Sequence, residues 1–252
     1  MIKILCGEDY AAASMKAAEV VRDVVKAKPD AVLGLATGSS PIGMYEDLAE
    51  MNRRGEISFA ACKSVNLDEY VGLAPDHDQS YAYFMAKNFF DKIDIDKKNT
   101  NLPSGLAPDL AAECLRYDGV IASMGGVDIQ VLGIGNNGHI GFNEPADSFS
   151  KGTGVVNLTA STIDANARFF ENRDEVPTCA ISMGVGQIVA AKRILLLAMG
   201  EGKAEILERA LFGDITPHVP ASILQFSAHV TVCADRAALS VIMKKHPEYP
   251  LF

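Results

Sequence analysis

Short apolar runs that end in Gly, Asn or Asp alternate along this chain with longer stretches of helical period, and no other feature constrains the fold as much. The strand-like runs are Ile2–Leu5, Ala31–Ala36, Ser64–Leu67, Asp128–Ile134, Thr178–Ser182, Arg193–Met199 and Val230–Ala234. Between them the pattern predicts helices over Asp9–Lys26, Pro41–Arg53, Ser80–Phe90, Leu110–Met124, Lys203–Leu211 and Arg236–Lys244. The second helix shows the period clearly: Ile42, Tyr45, Leu48 and Ala49 share one face, against Glu46, Asp47, Glu50 and Arg53. Apolar runs separated by helices predict an α/β fold, a Rossmann-like open, mostly parallel sheet with helices on both faces. No repeat, low-complexity tract or linker divides the 252 residues, so one domain over 1–252 is expected. Within it, the Ser-, Thr-, Asn- and Gly-rich stretch from Gly141 to Pro177 reads as a partly helical active-site loop or lid.

Charge and apolar run lengths remove several classes of function. Lys plus Arg is 23 and Asp plus Glu is 32, a net charge of −9 with no basic cluster, which argues against nucleic acid and anionic membrane as partners. The longest unbroken apolar stretch, Ile194–Met199, is far short of the roughly 18–20 residues of a membrane span. The apolar start meets Glu8 and Asp9 at once, unlike a signal peptide. Five cysteines, odd in number and without a Cys-x-x-Cys pair, read as small buried hydrophobes in a reducing compartment. A cytoplasmic protein is expected. Self-association is compatible with such a surface and is not fixed by the sequence.

In an open α/β sheet, ligands bind beyond the carboxyl ends of the strands. Three turns stand there. After Ala31–Ala36 comes Thr37-Gly38-Ser39-Ser40-Pro41, with Pro41 suited to the first helical position and Ser40 to the N-cap. Such a turn is either an ordinary capped connection or an anion site at a helix N-terminus. It lacks the Gly-Lys-Ser/Thr of a nucleotide-phosphate loop. After Ser64–Leu67 stand two acids, Asp68 and Glu69, which point in different directions; one can face a cleft as a general base while the other pairs or is solvated. A solvated acidic turn is the alternative.

The third turn, Gly133-Ile-Gly-Asn-Asn-Gly-His-Ile-Gly-Phe-Asn-Glu-Pro145, is the richest. Gly133, Gly135 and Gly138 match the spacing of a dinucleotide fingerprint. Gly141 and Pro145 spoil the helix that should follow, and no acid stands about 20 residues on to hold a ribose. The better reading is a tight loop that presents His139 among Asn137, Asn143 and Glu144, where a carboxylate can orient an imidazole for proton transfer. The other histidines show no metal-ligand spacing, so no metal is expected.

These segments, in this order, resemble the glucosamine-6-phosphate deaminases. The strings are Leu35-Ala-Thr-Gly-Ser-Ser-Pro41, Asn66-Leu-Asp-Glu-Tyr-Val-Gly-Leu73, Ser80-Tyr-Ala-Tyr-Phe-Met85 and Gly133–Pro145, with Ala167-Arg-Phe-Phe170 and Gly202-Lys-Ala204 further on. The resemblance implies conversion of glucosamine 6-phosphate and water to fructose 6-phosphate and ammonia, without metal or organic cofactor. His139 would open the pyranose, with Glu144 orienting it, and Asp68 would move a proton from C2 to C1. Phosphate contacts fall on Thr37, Gly38, Ser39, Ser40, Arg168 and Lys203.

Two positions depart from well-known members. Asn137 stands where they carry Asp two residues before the histidine; an amide can orient an imidazole but stabilises imidazolium less than a carboxylate does. Members activated by N-acetylglucosamine 6-phosphate carry a Ser, an Arg and a Lys at positions corresponding to Asp147, Gly154 and Val156, so an unregulated enzyme is expected. The enzymatic rivals are a galactosamine-6-phosphate deaminase and a 6-phosphogluconolactonase-like hydrolase. A sugar-phosphate sensor is a third reading, and the chain lacks the basic DNA-binding segment that such a protein usually carries.

Overall fold

The longest apolar runs of the sequence form the middle of a seven-stranded sheet, where both faces are covered. The computed structural model describes residues 2–252, apart from the side chains at 161, 165 and 169. The chain begins with β1 (Lys3–Gly7), α1 (Tyr10–Ala27), β2 (Val32–Leu35), α2 (Ile42–Arg53), β3 (Lys63–Asn66) and β4 (Asp68–Tyr70). It continues through α3 (Tyr81–Asn88), β5 (Thr100–Asn101), α4 (Leu110–Ser123), β6 (Ile129–Gly133), β7 (Gly154–Asn157) and α5 (Ala160–Asn166). Then follow β8 (Cys179–Ser182), α6 (Val185–Val189), β9 (Ile194–Ala198), α7 (Ala204–Phe212), β10 (Val230–Asp235) and α8 (Ser240–Lys245).

The main sheet has the order β1-β10-β9-β6-β2-β3-β5, and every pairing in it is parallel. The mostly parallel α/β reading therefore stands. In β9 all five residues, Ile194 to Ala198, are buried, as a central strand with helices on both faces requires. The amphipathic reading of α2 also holds, with Tyr45 and Leu48 buried in the core.

Two expectations about the elements need correction. The run Thr178–Ser182 does form a strand, β8, but it lies outside the parallel sheet. It is the centre of a separate antiparallel sheet, β4-β8-β7, built from two short strands with no clear apolar signature. A four-residue apolar strand looks the same in either setting, so its pattern alone does not assign the sheet. The second correction concerns α2. The helix starts at Ile42, with Pro41 as its flanking residue, and Ser40 does not cap it. Instead the hydroxyl of Tyr10, at the start of α1, accepts from the Gly43 amide at 2.8 Å and donates to the Ser39 carbonyl at 3.0 Å.

The small sheet carries its own apolar cluster of Tyr70, Phe142, Leu158 and Ala180, with Tyr81 and Phe170 packed against it. This second cluster joins β4 and the loop after β6 to the 141–177 segment.

Candidate active site

β2 and β6 are neighbours, yet the chain leaves them in opposite directions, from β2 toward β3 and from β6 toward β9. Such a parting leaves a crevice at the carboxyl ends of the two strands. Here it is a cleft of about 1290 Å³. Thr37, Gly38, Ser39, Ser40, Asp68, Asn137, His139, Arg168 and Lys203 all line it. Of the residues singled out from sequence, Glu144 lies outside the lining, behind His139, and so do Asn143 and Glu69.

The turn after β2 takes its shape from Gly38, whose φ of +92° an L side chain rarely adopts. Freed from capping, Ser40 faces the cleft. Lys203 reaches the same region just before α7, its Nζ donating to Asn136 Oδ1 at 2.6 Å. Burial and the like charge of Arg168 push the Lys203 ammonium below its ordinary range. Two cations beside a turn of backbone amides are an arrangement that can hold a compact dianion.

The loop after β6 is folded around the histidine. Gly135 N–H donates to His139 O at 2.9 Å, and the imidazole lies directly on the Gly135 backbone. A Cβ on residue 135 would come within 2.3 Å of the ring, so only glycine fits. No helix follows Gly138 in this loop, which disposes of the dinucleotide fingerprint. His139 Nδ1 stands 3.4 Å from Glu144 Oε2, at ion-pair distance but without hydrogen-bond alignment. Asn137 ties the group together: its Nδ2 donates to the same Glu144 oxygen at 2.5 Å, and its Oδ1 accepts from His139 N at 3.1 Å. Burial opposes ionisation of Glu144, but His139 and hydrogen bonds from Thr162 and Asn137 outweigh it and hold the carboxyl down at about 2.

Asp68 and Glu69 settle the question left open by the acidic turn. Consecutive residues of a strand face opposite sides, and β4 sends Asp68 into the cleft and Glu69 away from it. Glu69 is buried and accepts from the amides of Tyr70, Tyr81 and Ala82, each at 2.9 Å, so it anchors the start of α3. Asp68 is buried too, and among the described residues no group hydrogen-bonds its carboxylate. Burial, reinforced by the nearby charge of Glu69, pushes Asp68 up to about 8. A buried carboxyl poised near neutrality at the wall of a cleft has the character of a proton-transfer group.

Several contributors carried no sequence signal of their own. Tyr10 and Asn136 line the cleft, and the Thr162 hydroxyl donates to Glu144 from α5. Their roles depend on tertiary contacts that no local pattern records. Among the described residues no group of three or more His, Cys, Asp or Glu is arranged to hold a metal ion. Among the described residues no helix is long and apolar enough to cross a membrane.

Comparison with known proteins finds likenesses that run over nearly the whole chain. A family model described as glucosamine-6-phosphate isomerases/6-phosphogluconolactonase matches residues 8–233. The glucosamine-6-phosphate deaminase of Lachnoclostridium phytofermentans is 54% identical, over 92% of this chain and 98% of that protein. That of Thermoanaerobacter pseudethanolicus is 52% identical, over 96% of this chain and 95% of that protein. Among solved structures, a monomeric glucosamine-6-phosphate deaminase superimposes with a TM-score of 0.93 at 46% identity, covering 95% of this chain and 100% of the other. A 6-phosphogluconolactonase from Trypanosoma cruzi shares the fold, with a TM-score of 0.76 at 17% identity over 98% and 97% of the two chains.

Proposed function

This chain belongs to the family of glucosamine-6-phosphate isomerases and 6-phosphogluconolactonases, and we propose that it deaminates glucosamine 6-phosphate with isomerisation. The products are fructose 6-phosphate and ammonia. The observation that carries this reading is Asp68: a buried carboxyl, unpaired by any described residue and pushed to about 8, in the same cleft as a carboxylate-backed histidine. Isomerisation needs a base that takes a proton from carbon and returns it one carbon away, whereas lactone hydrolysis does not.

The phosphate is seated on the Thr37–Ser40 turn, Arg168 and Lys203, which places the sugar toward His139 and Asp68. A carboxylate facing Nδ1 favours the imidazole tautomer protonated there and leaves Nε2 as the base. Nε2 takes the proton of the C1 hydroxyl and returns it to the ring oxygen, opening the pyranose. Asp68 must be ionised to act, and the substrate ammonium beside it favours the carboxylate. It then removes the C2 proton to give an enolamine and delivers a proton to C1. Water adds to the resulting ketimine and ammonia leaves, so the reaction is hydrolytic as well as an isomerisation. The 141–177 segment, which brings Arg168 and Thr162 to the cleft, serves as its lid. Amino-sugar breakdown of this kind, with five free cysteines in the chain, suits the cytoplasm.

Asp147 is exposed, and Gly154 and Val156 lie in β7, so these positions supply no cation for a second sugar phosphate. The test is release of ammonia and fructose 6-phosphate from glucosamine 6-phosphate, with and without N-acetylglucosamine 6-phosphate. Equimolar products with hyperbolic kinetics that ignore the acetylated sugar are expected. Sigmoidal kinetics relieved by that sugar would overturn the regulatory reading. Turnover of the galactosamine epimer or the gluconolactone alone would overturn the substrate.

A further inference from the structure

The α2 N-terminus is capped from another helix, and the cap does more than close the helix. Tyr10 lies at the start of α1 and its ring lines the cleft, but its hydroxyl proton is already used: the hydroxyl donates to Ser39 O at 3.0 Å and accepts from Gly43 N at 2.8 Å. Behind the turn, the buried Tyr45 hydroxyl donates to Ala36 O at 2.7 Å and accepts from Ala36 N at 3.2 Å. The two tyrosines thus hold the carbonyls on either side of Gly38, those of Ala36 and Ser39.

A trans peptide sets its N–H against its C=O. Holding Ala36 O and Ser39 O fixes the opposite direction for the N–H groups of Thr37 and Ser40. Among the described residues, the amides of Thr37, Gly38, Ser39, Ser40 and Ile42 donate to no protein group. Without the hydroxyls, the flexible Gly38 would let either peptide rotate and turn a carbonyl toward the space where a phosphate sits.

We propose that Tyr10, backed by Tyr45, is a positioning residue that keeps the amides of the Thr37–Ser40 turn arranged for the substrate phosphate. This rests on the turn being the phosphate seat. Each hydroxyl's single proton is already given to a backbone carbonyl, so neither can donate to the phosphate, and the effect passes through the backbone.

The test uses Tyr10→Phe and Tyr45→Phe, which keep the rings, beside Lys203→Ala as a probe of the seat itself. Steady-state kinetics with glucosamine 6-phosphate are measured together with competitive inhibition by inorganic phosphate. Tyr10→Phe is expected to raise KM and the phosphate inhibition constant by the same factor, about threefold to tenfold. kcat should stay within twofold. Tyr45→Phe, whose hydroxyl is out of a ligand's reach, should show the same phosphate-specific signature. If Lys203→Ala weakens phosphate while both tyrosine variants match the parent, the seat stands and the proposal falls. If none of the three changes phosphate inhibition, the seat and the proposal fall together. A drop in kcat with unchanged phosphate inhibition would assign the tyrosines another role and overturn the proposal as well.

Discussion

Asp68 and Glu69 are neighbouring acids with opposite fates, and the difference comes from one strand's alternation. Glu69 has three amide donors; Asp68 has none among the described residues. Burial together with the Glu69 charge holds Asp68 at about 8, so in the free enzyme it is largely protonated at pH 7. As a base it works only when ionised, so kcat/KM should rise with pH and level off above about 8. Stability should move the other way. Between about pH 4, where Asp ionises in the unfolded chain, and pH 8, the folded state binds the extra proton, so the native state loses stability as pH rises through that window. Asp68→Asn should therefore stabilise the protein at neutral pH by on the order of 1–2 kcal/mol and flatten that slope, while lowering deamination about 10³-fold. Denaturant titrations at pH 5 and pH 8 check the first part. An unchanged slope would mean that Asp68 is not held protonated by the fold.

Asn137 stands where the family resemblance leads one to expect Asp, and its contacts show what an amide does there. Its Nδ2 donates to the Glu144 oxygen nearest His139, while its Oδ1 receives the His139 amide. Asn137→Asp would set two carboxylates against each other, and one would hold a proton near neutrality. No large gain is expected from that change: kcat should stay within tenfold of the parent or fall. A rise above tenfold would show that the amide cripples the histidine.

At the scale of elements, the loop after β6 was legible because its chemistry is local. Glycines, two Asn, a His and a Glu at a strand end point to a presented histidine, and the structure brings His139, Asn137 and Glu144 together. The physical requirement is sharpest at Gly135, where the imidazole rests on the backbone. Gly135→Ala should displace the ring, lowering kcat by about 10- to 100-fold with KM little changed; a parent-like kcat would mean that the ring has another place to sit. The α2 cap was not legible. Ser40 has the residue type and the position for an N-cap, yet the partner that takes the Gly43 amide stands 33 residues away along the chain. β7 was missed for a related reason. Its four residues, Gly-Val-Val-Asn, sit in a polar stretch, and only pairing with β8 makes them a strand.

Across the whole molecule, the parallel sheet was readable because its central strands, β2, β6, β9 and β10, are largely apolar on their own account, whereas β3 is Lys-Ser-Val-Asn and the two-residue edge strand β5, Thr100–Asn101, carries no signal. The second sheet was not, because β4 and β7 gain their character from β8. That small sheet is nevertheless what orients Asp68, and its aromatic cluster ties β4 to the segment that carries Arg168. The parting of β2 and β6 places the turn proposed to seat phosphate beside the loop that presents the histidine, and β4 adds the carboxyl. This arrangement lets an acidic chain hold an acidic substrate: two nearby cations and a helix start act at short range, while the net charge of −9 is spread out and screened.

The central claim is that Asp68 carries a proton from C2 to C1 of glucosamine 6-phosphate. The most direct measurement runs the reaction in D2O with the parent enzyme and with Asp68→Asn, and reads ammonia and the sugar product by NMR. The account predicts ammonia and fructose 6-phosphate in equal amounts from the parent, with the hydrogen newly placed at C1 drawn from C2 or from solvent, and near-complete loss of both products in the variant. Parent-like turnover by Asp68→Asn, or ammonia released without any ketose, would contradict it.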